Sequence, residues 1–432
     1  SYNVAVGYNA GESVSTGTLN TLIGGLAGDA ITEGHSNVAV GYQALSTNVD
    51  GDGNTAVGYS ALFALEPSNG LSYNTALGYN TGVSLSTGTQ NTLVGANAGD
   101  SLTTGTNNVA IGFEALASED GHSYNVAVGH RTLKNQDAGG NAYNTALGYN
   151  AGLVVSTGSQ NTLVGGLAGD ALTTGGHNVA IGYLALSAED TGSYNIAIGA
   201  HALKLADAGT NAYNVSIGYN SSTALTTGLY NTALGSEALK TNEDGDKNTA
   251  IGFRALKMME ADTDGHGENT AVGANAAENL TTATGTTAIG KSAMGSGATT
   301  GNNNTAVGFT SGVFLTSGSH NTLVGAYSGD SLTTGANNIL LGYDAGSALT
   351  DGDDNVAIGN HALNAEDEHG RNVAIGHESL GTLNAGAHGY NTAVGYYSGG
   401  AMSTGVRNTI MGGLAGDALT TGSDNVAIGY GA

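Results

Sequence analysis

The chain has 432 residues, 73 of them glycine, with one proline, no cysteine and no tryptophan. Glycine at this level without a three-residue period excludes collagen, and zero cysteine excludes a disulfide framework or a thiolate metal site. The net charge of −25 argues against nucleic acid and anionic membranes, which are held by Lys and Arg, and no apolar run approaches the roughly 18 residues that span a bilayer.

The first predicted element is Asn3-Val4-Ala5-Val6-Gly7, and its pattern Asn-(Thr/Val)-(Ala/Leu)-(Val/Ile/Leu)-Gly recurs to the end of the chain. The anchors run Asn3, Asn20, Asn37, Asn54, Asn74, Asn91, Asn108 and Asn125, and continue from Asn144 to Asn269. Thr286 then stands in for Asn once, and the series resumes from Asn304 to Asn425, making 25 units. Most steps are 17 residues and the exceptions are 18 to 21, never fewer. Seventeen residues is therefore a minimum circuit, with extra residues bulging from a corner. Asn20-Thr21-Leu22-Ile23-Gly24-Gly25 starts a unit type that returns at Asn91, Asn161, Asn321 and Asn408. These returns mark super-repeats of four to five rungs. No composition shift marks a boundary, so residues 1–432 read as one continuous array.

Within a rung, counted from the anchor as position 0, positions 1 and 3 lie on one strand face and positions 0, 2 and 4 on the other. A second segment follows and turns at Thr-Thr-Gly or Ser-Thr-Gly, with glycine at position 14, as at Gly17, Gly34, Gly88 and Gly158. A glycine-punctuated unit this short has no room for a stable helix. The predicted fold is all-β: a repetitive parallel β-roll or β-solenoid of about 25 rungs of about 17 residues. Each rung is expected to hold two short strands and two turns. The glycines are expected to supply positive φ at the corners, and the stacked Asn amides to form a ladder. At about 4.8 Å per rung the stack would extend roughly 120 Å. The small residues at position 2 call for a closely approaching partner sheet, so a homo-oligomer, a trimer first, is expected, with a lone solenoid as the alternative. Terminal rungs with no polar cap add end-to-end polymerisation as an expectation.

The motif Thr286-Thr287-Ala288-Ile289-Gly290-Lys291-Ser292-Ala293-Met294 resembles the head repeats of trimeric autotransporter adhesins, the YadA-like β-roll. The remaining Asn-Thr-Ala-Val-Gly-type units are similar to arrays in bacterial surface proteins and phage tail fibres. The resemblance covers essentially the whole chain. It implies a structural, adhesin-like fibre that binds a surface or matrix, extracellular or on the cell surface. The alternative it leaves open is the shaft of a bacteriophage tail fibre, a virion part.

Chemistry is sparse. No nucleophile elbow, phosphate loop or zinc-ligand cluster stands in the right context, so an enzyme is not expected. The histidines, such as His35, His130, His201 and His361, fall on turns and rung corners. Acidic corners at Asp50, Asp52, Asp244, Asp246, Asp351 and Asp353 are candidate calcium ligands, since calcium takes oxygen donors in flexible geometry. Their other reading is a solvated edge that resists aggregation. No other cofactor is expected. Thr pairs such as Thr103-Thr104 raise ice binding, and the tyrosines after the strands, Tyr42, Tyr59 and Tyr79 among them, raise either corner packing or a sugar-stacking stripe.

Overall fold

The computed structural model describes residues 2–67, 70–260 and 267–432. Among them there is no helix, and the chain forms a parallel β-solenoid with a three-residue strand in every rung. Two compact units divide it, Ser1–Asn214 and Val215–Ala432. The first carries twelve strands, β1 (Val4–Val6) to β12 (Ile196–Ile198), and the second thirteen, β13 (Val215–Ile217) to β25 (Val426–Ile428). In each unit every strand pairs parallel with the next in sequence. Register is unslipped even across the 21-residue circuit, where Thr249, Ala250 and Ile251 face Thr270, Ala271 and Val272.

Each strand begins after the anchor because positions 1 and 3 are β-branched or aliphatic, and such residues favour a pleat. It ends at the position-4 glycine, whose φ lies between +126° and +146° throughout the stack. That glycine is doubly required: a Cβ on Gly78 would sit 2.6 Å from the Gly95 carbonyl oxygen of the next rung. The position-14 glycines differ from the expectation. Gly158 does not adopt positive φ, and its role is close approach, since a Cβ would meet the Gly175 oxygen at 2.5 Å.

The second side of the rung is not a strand. Its residues at positions 6 and 8 adopt left-handed conformations, as at Asn9 (φ 53°), Leu45 (φ 51°) and Leu62 (φ 50°), and this alternation cannot coexist with a pleat. Its hydrogen bonds still join rungs but run both ways along the stack. The Leu26 amide donates back to the Tyr8 carbonyl at 2.8 Å, while the Gly28 amide donates forward to Ala44 at 2.9 Å.

The core lies between the two sides. Position 2 of the strand is buried in nearly every rung, together with positions 7, 8 and 11. Bulk is exchanged across it. Where position 2 is Ala, as at Ala39 or Ala110, position 8 is often Leu, as at Leu45 and Leu116. Where position 2 is Leu, as at Leu163, position 8 is Gly in that rung and the one before: a Cβ on Gly152 or Gly169 would fall 2.7 or 2.9 Å from Leu163 methyls. This complementarity accounts for the Asn20-type rungs. The small position-2 face is thus covered from within its own circuit. The faces left without a partner are positions 1 and 3, which point outward and are half-buried or exposed.

Candidate functional site

The anchor asparagines line the corner where the strand starts, and most are fully buried. Asn3 Nδ2 donates to Gly17 O at 2.8 Å, and its Oδ1 accepts the Asn20 amide at 2.9 Å. Asn20 Nδ2 donates to Gly34 O at 2.8 Å, and the Asn37 amide donates to Asn20 Oδ1 at 2.9 Å. The geometry repeats from Asn37 to Asn54, from Asn54 to Asn74 and from Asn74 to Asn91. It continues from Asn91 to Asn108 and from Asn108 to Asn125. Most of these side chains close their own rung through Nδ2 and accept the next rung's amide through Oδ1; Asn125 and Asn195, which open 19-residue circuits, have a buried Nδ2 with no partner.

A second polar ladder, not foreseen from the sequence, runs at position 15. There a side-chain acceptor takes the amide of the preceding rung's position 15: Ser123 Oγ from Thr106 at 2.9 Å, Ser193 Oγ from Gly176 at 3.0 Å, Ser423 Oγ from Val406 at 3.2 Å. Three of the calcium candidates stand in this register. Asp52 accepts from the His35 amide at 2.6 Å, Asp246 from Leu229 at 2.7 Å and Asp353 from Ala336 at 2.7 Å. Asp244 and Asp351, two positions earlier, each take two threonine hydroxyls: Thr226 and Thr227 at 2.7 Å, and Thr333 and Thr334 at 2.8 and 2.6 Å. These hydroxyls hold both carboxyls below the usual range. Asp50 occupies the position-13 corner equivalent to Asp244. The structure therefore bonds Asp52, Asp244, Asp246, Asp351 and Asp353 to the neighbouring rung.

Among the described residues, carboxylates and histidines close enough to share an ion lie elsewhere: Glu119, Asp120, His122 and Asp137; Glu189, Asp190 and Asp207; and Glu366, Asp367 and His369. Each group is built on a fully buried glutamate at position 11, otherwise mostly a core leucine. Burial pushes all three carboxyls above their ordinary value. Glu119 is held by His122 Nδ1 at 2.5 Å and Gln136 Nε2 at 3.1 Å. Glu189 accepts the Gly192 amide at 2.7 Å, and Glu366 accepts the Ala385 amide at 3.3 Å. In all three places the following rung is one of the 19-residue circuits, starting at Asn125, Asn195 and Asn372. The glutamate reaches across to that widened corner, as Gln136 and Ala385 show. The 20- and 21-residue circuits likewise follow rungs with asparagine at position 11. Asn48 and Asn242 each bond both the amide and the carbonyl of a corner glycine, Gly51 and Gly245.

The outward face of the strands repeats one chemistry from rung to rung. Position 3 exposes aliphatic side chains such as Ile23, Leu77, Leu147 and Leu234, the last two 48% and 44% exposed. Beyond it at position 5, exposed rings stack: Tyr42 on Tyr59 at 5.5 Å and Tyr59 on Tyr79 at 5.3 Å. At position −1 Tyr124 stacks on Tyr143 at 5.1 Å and Tyr194 on Tyr213 at 5.0 Å. Some histidines belong to these rows rather than to bare corners. His130 lies between Phe113 and Tyr149 at 5.4 and 5.3 Å, and His361 meets Tyr343 edge-on. The first threonine of each pair is spent on the stack, Thr103 Oγ1 donating to Asp120 O at 2.7 Å.

In comparison with known proteins, no family model matches the chain, and no curated protein matches it. No helix of the described residues is long and apolar enough to cross a membrane.

Proposed function

We propose that the protein is a non-enzymatic structural fibre component that assembles with copies of itself, first as a trimer, and serves an adhesin-like role on a cell surface. The observation that carries this reading is the outward strand face, with aliphatic side chains in register and stacked aromatic rows at both strand ends. Monomeric soluble proteins rarely leave contiguous apolar patches larger than a few hundred Å² exposed. Here such a face recurs on every rung of both units, in a chain whose net charge of −25 otherwise favours solubility. Packing that face between copies buries it without any side chain leaving its register. The buried polar groups fit a scaffold better than a catalyst. Anchor asparagines and position-11 glutamates in the core, with position-15 acceptors at a more exposed corner, are engaged by other rungs and hold the stack in register.

Light scattering on the full chain tests the reading. A mass three times 42.5 kDa, reduced by Leu77→Lys with Leu147→Lys on the outward face, supports it. A wild-type mass of 42.5 kDa at high concentration contradicts it.

A further inference from the structure

On the second side of the rung, position 9 carries a side chain in most circuits. Gly381 and Gly400 are the one place where two consecutive rungs have glycine there. A notch of about 210 Å³ lies at this place, lined by His361, Asn364, Glu378, Thr382 and Tyr397 around the two glycines. Tyr397 lies over Gly400, where a Cβ would fall 2.5 Å from its ring. Glycine at 400 is therefore what lets the phenol ring lie down as one wall. Gly381 has a conformation any residue can adopt, with only the Glu378 and His361 carbonyl oxygens near a Cβ, at 3.3 and 3.5 Å. Its glycine serves the open space rather than the backbone.

We infer that this notch binds a single neutral or amino-sugar ring at the end or branch of a glycan. The volume is below the ~300–1,000 Å³ of sites for drug-sized ligands, and suits one ring. The wall chemistry matches a polyhydroxylated ring: an aromatic face for its C–H surface, a carboxylate to accept hydroxyls, and an amide that both donates and accepts. His361 Nδ1 sits 3.4 Å from Asp344 Oδ2, which orients the imidazole at the notch edge. No Lys or Arg lines the site, and the negative field of the whole chain disfavours an anionic sugar. The notch is open on one side, so the rest of a glycan can leave it. The site lies on the second side of the rung, beside the aromatic row that His361 meets at Tyr343 and Tyr397 at Tyr396, so binding is read together with the mass in solution.

Saturation-transfer NMR on the full chain tests the site, with the methyl glycosides of glucose, galactose, mannose and N-acetylglucosamine as neutral probes and N-acetylneuraminic acid as the anionic one. The expected result is saturable binding of at least one neutral probe in the millimolar range and none of the anionic probe. Gly381→Leu, which fills the notch, and Glu378→Gln, which preserves its shape, should each weaken that binding by about tenfold, with the mass in solution unchanged. No saturable neutral probe at tens of millimolar, stronger binding of the anionic probe, or binding that both variants leave intact would each overturn the assignment. Glu378→Gln keeps the test valid should the leucine variant misfold.

Discussion

Replacing one anchor asparagine should loosen three rungs and leave the rest of the stack intact. Asn321 is 1% exposed. Its Nδ2 donates to Gly335 O at 2.9 Å and to Asn304 Oδ1 at 3.1 Å, and its Oδ1 accepts the Asn338 amide at 3.0 Å and Asn338 Nδ2 at 3.1 Å. In Asn321→Ala, Asn304 Oδ1 keeps the Asn321 amide at 2.9 Å and Asn338 Nδ2 keeps Gly352 O at 2.8 Å. The Asn338 amide and the Gly335 carbonyl lose these partners. Two orphaned buried groups at about 1–3 kcal/mol each give a loss of about 2–6 kcal/mol. A solenoid's stability is approximately a sum of rung and nearest-neighbour terms, so the loss should be local. Hydrogen exchange read by mass spectrometry should show faster exchange at Thr305–Val307, Thr322–Val324 and Ile339–Leu341, with β25 unchanged. Asn321→Asp keeps an acceptor for Asn338 but turns an oxygen toward Gly335 O and Asn304 Oδ1, so it should cost more than Ala at neutral pH. The chain holds a natural counterpart in Thr286, whose amide bonds Asn269 Oδ1 at 3.0 Å but whose hydroxyl has no partner. Exchange unchanged at all three strands, or uniform loosening of the whole unit, would refute the ladder argument.

Three further outcomes follow from the packing and the buried charges. Thr286→Asn should slow exchange at Thr287–Ile289 and Thr305–Val307 by restoring the missing acceptor, and no slowing would show that the 18-residue circuit sets the geometry there instead. Leu163→Ala should cost about 2–5 kcal/mol in chemical denaturation, because Gly152 and Gly169 leave nothing to fill the space. Adding Gly169→Leu should recover much of the loss, since leucine occupies the same left-handed position in other rungs; a double variant no better than the single would contradict the exchange of bulk. Glu189→Gln should stabilise at neutral pH by about 1–3 kcal/mol, retaining the Gly192 contact without a buried charge. The folded-state pKa of Glu189 is raised by burial above its unfolded value. The native state therefore favours the protonated form, and native stability falls as pH rises from below the model-peptide value of 4.5 through the elevated one. The advantage of Gln over Glu should accordingly appear on raising the pH and vanish below that window. An advantage independent of pH would argue against a buried charge.

Much of this architecture is legible in the sequence, and the parts that are not have physical reasons. The strands were readable because β-branched residues at positions 1 and 3 sit between an Asn and a glycine that cannot carry a Cβ. The second side was not, because Leu45, Leu62 and Leu116 adopt positive φ, which leucine avoids unless core burial offsets the strain. Along the chain Asp52, Asp246 and Asp353 look like parts of acidic clusters. Read down position 15, where Ser, Thr, Asn, Asp and His recur, they fall into a ladder. The buried glutamates left a signal too: Glu119, Glu189 and Glu366 break an otherwise mostly apolar position, and each precedes a lengthened circuit. The stacked aromatic rows were visible as tyrosines but not as neighbours, since ring contact depends on which way each corner turns.

The central claim is that the outward strand face is an interface between copies of this chain, and tyrosine footprinting tests it most directly. Tyr59, Tyr79 and Tyr149 are each about half exposed in a single chain. Hydroxyl-radical oxidation of these residues should be suppressed at assembly concentrations and rise on dilution or in the Leu77→Lys, Leu147→Lys variant. Oxidation at one constant rate across all concentrations, unchanged by the variant, would contradict the claim.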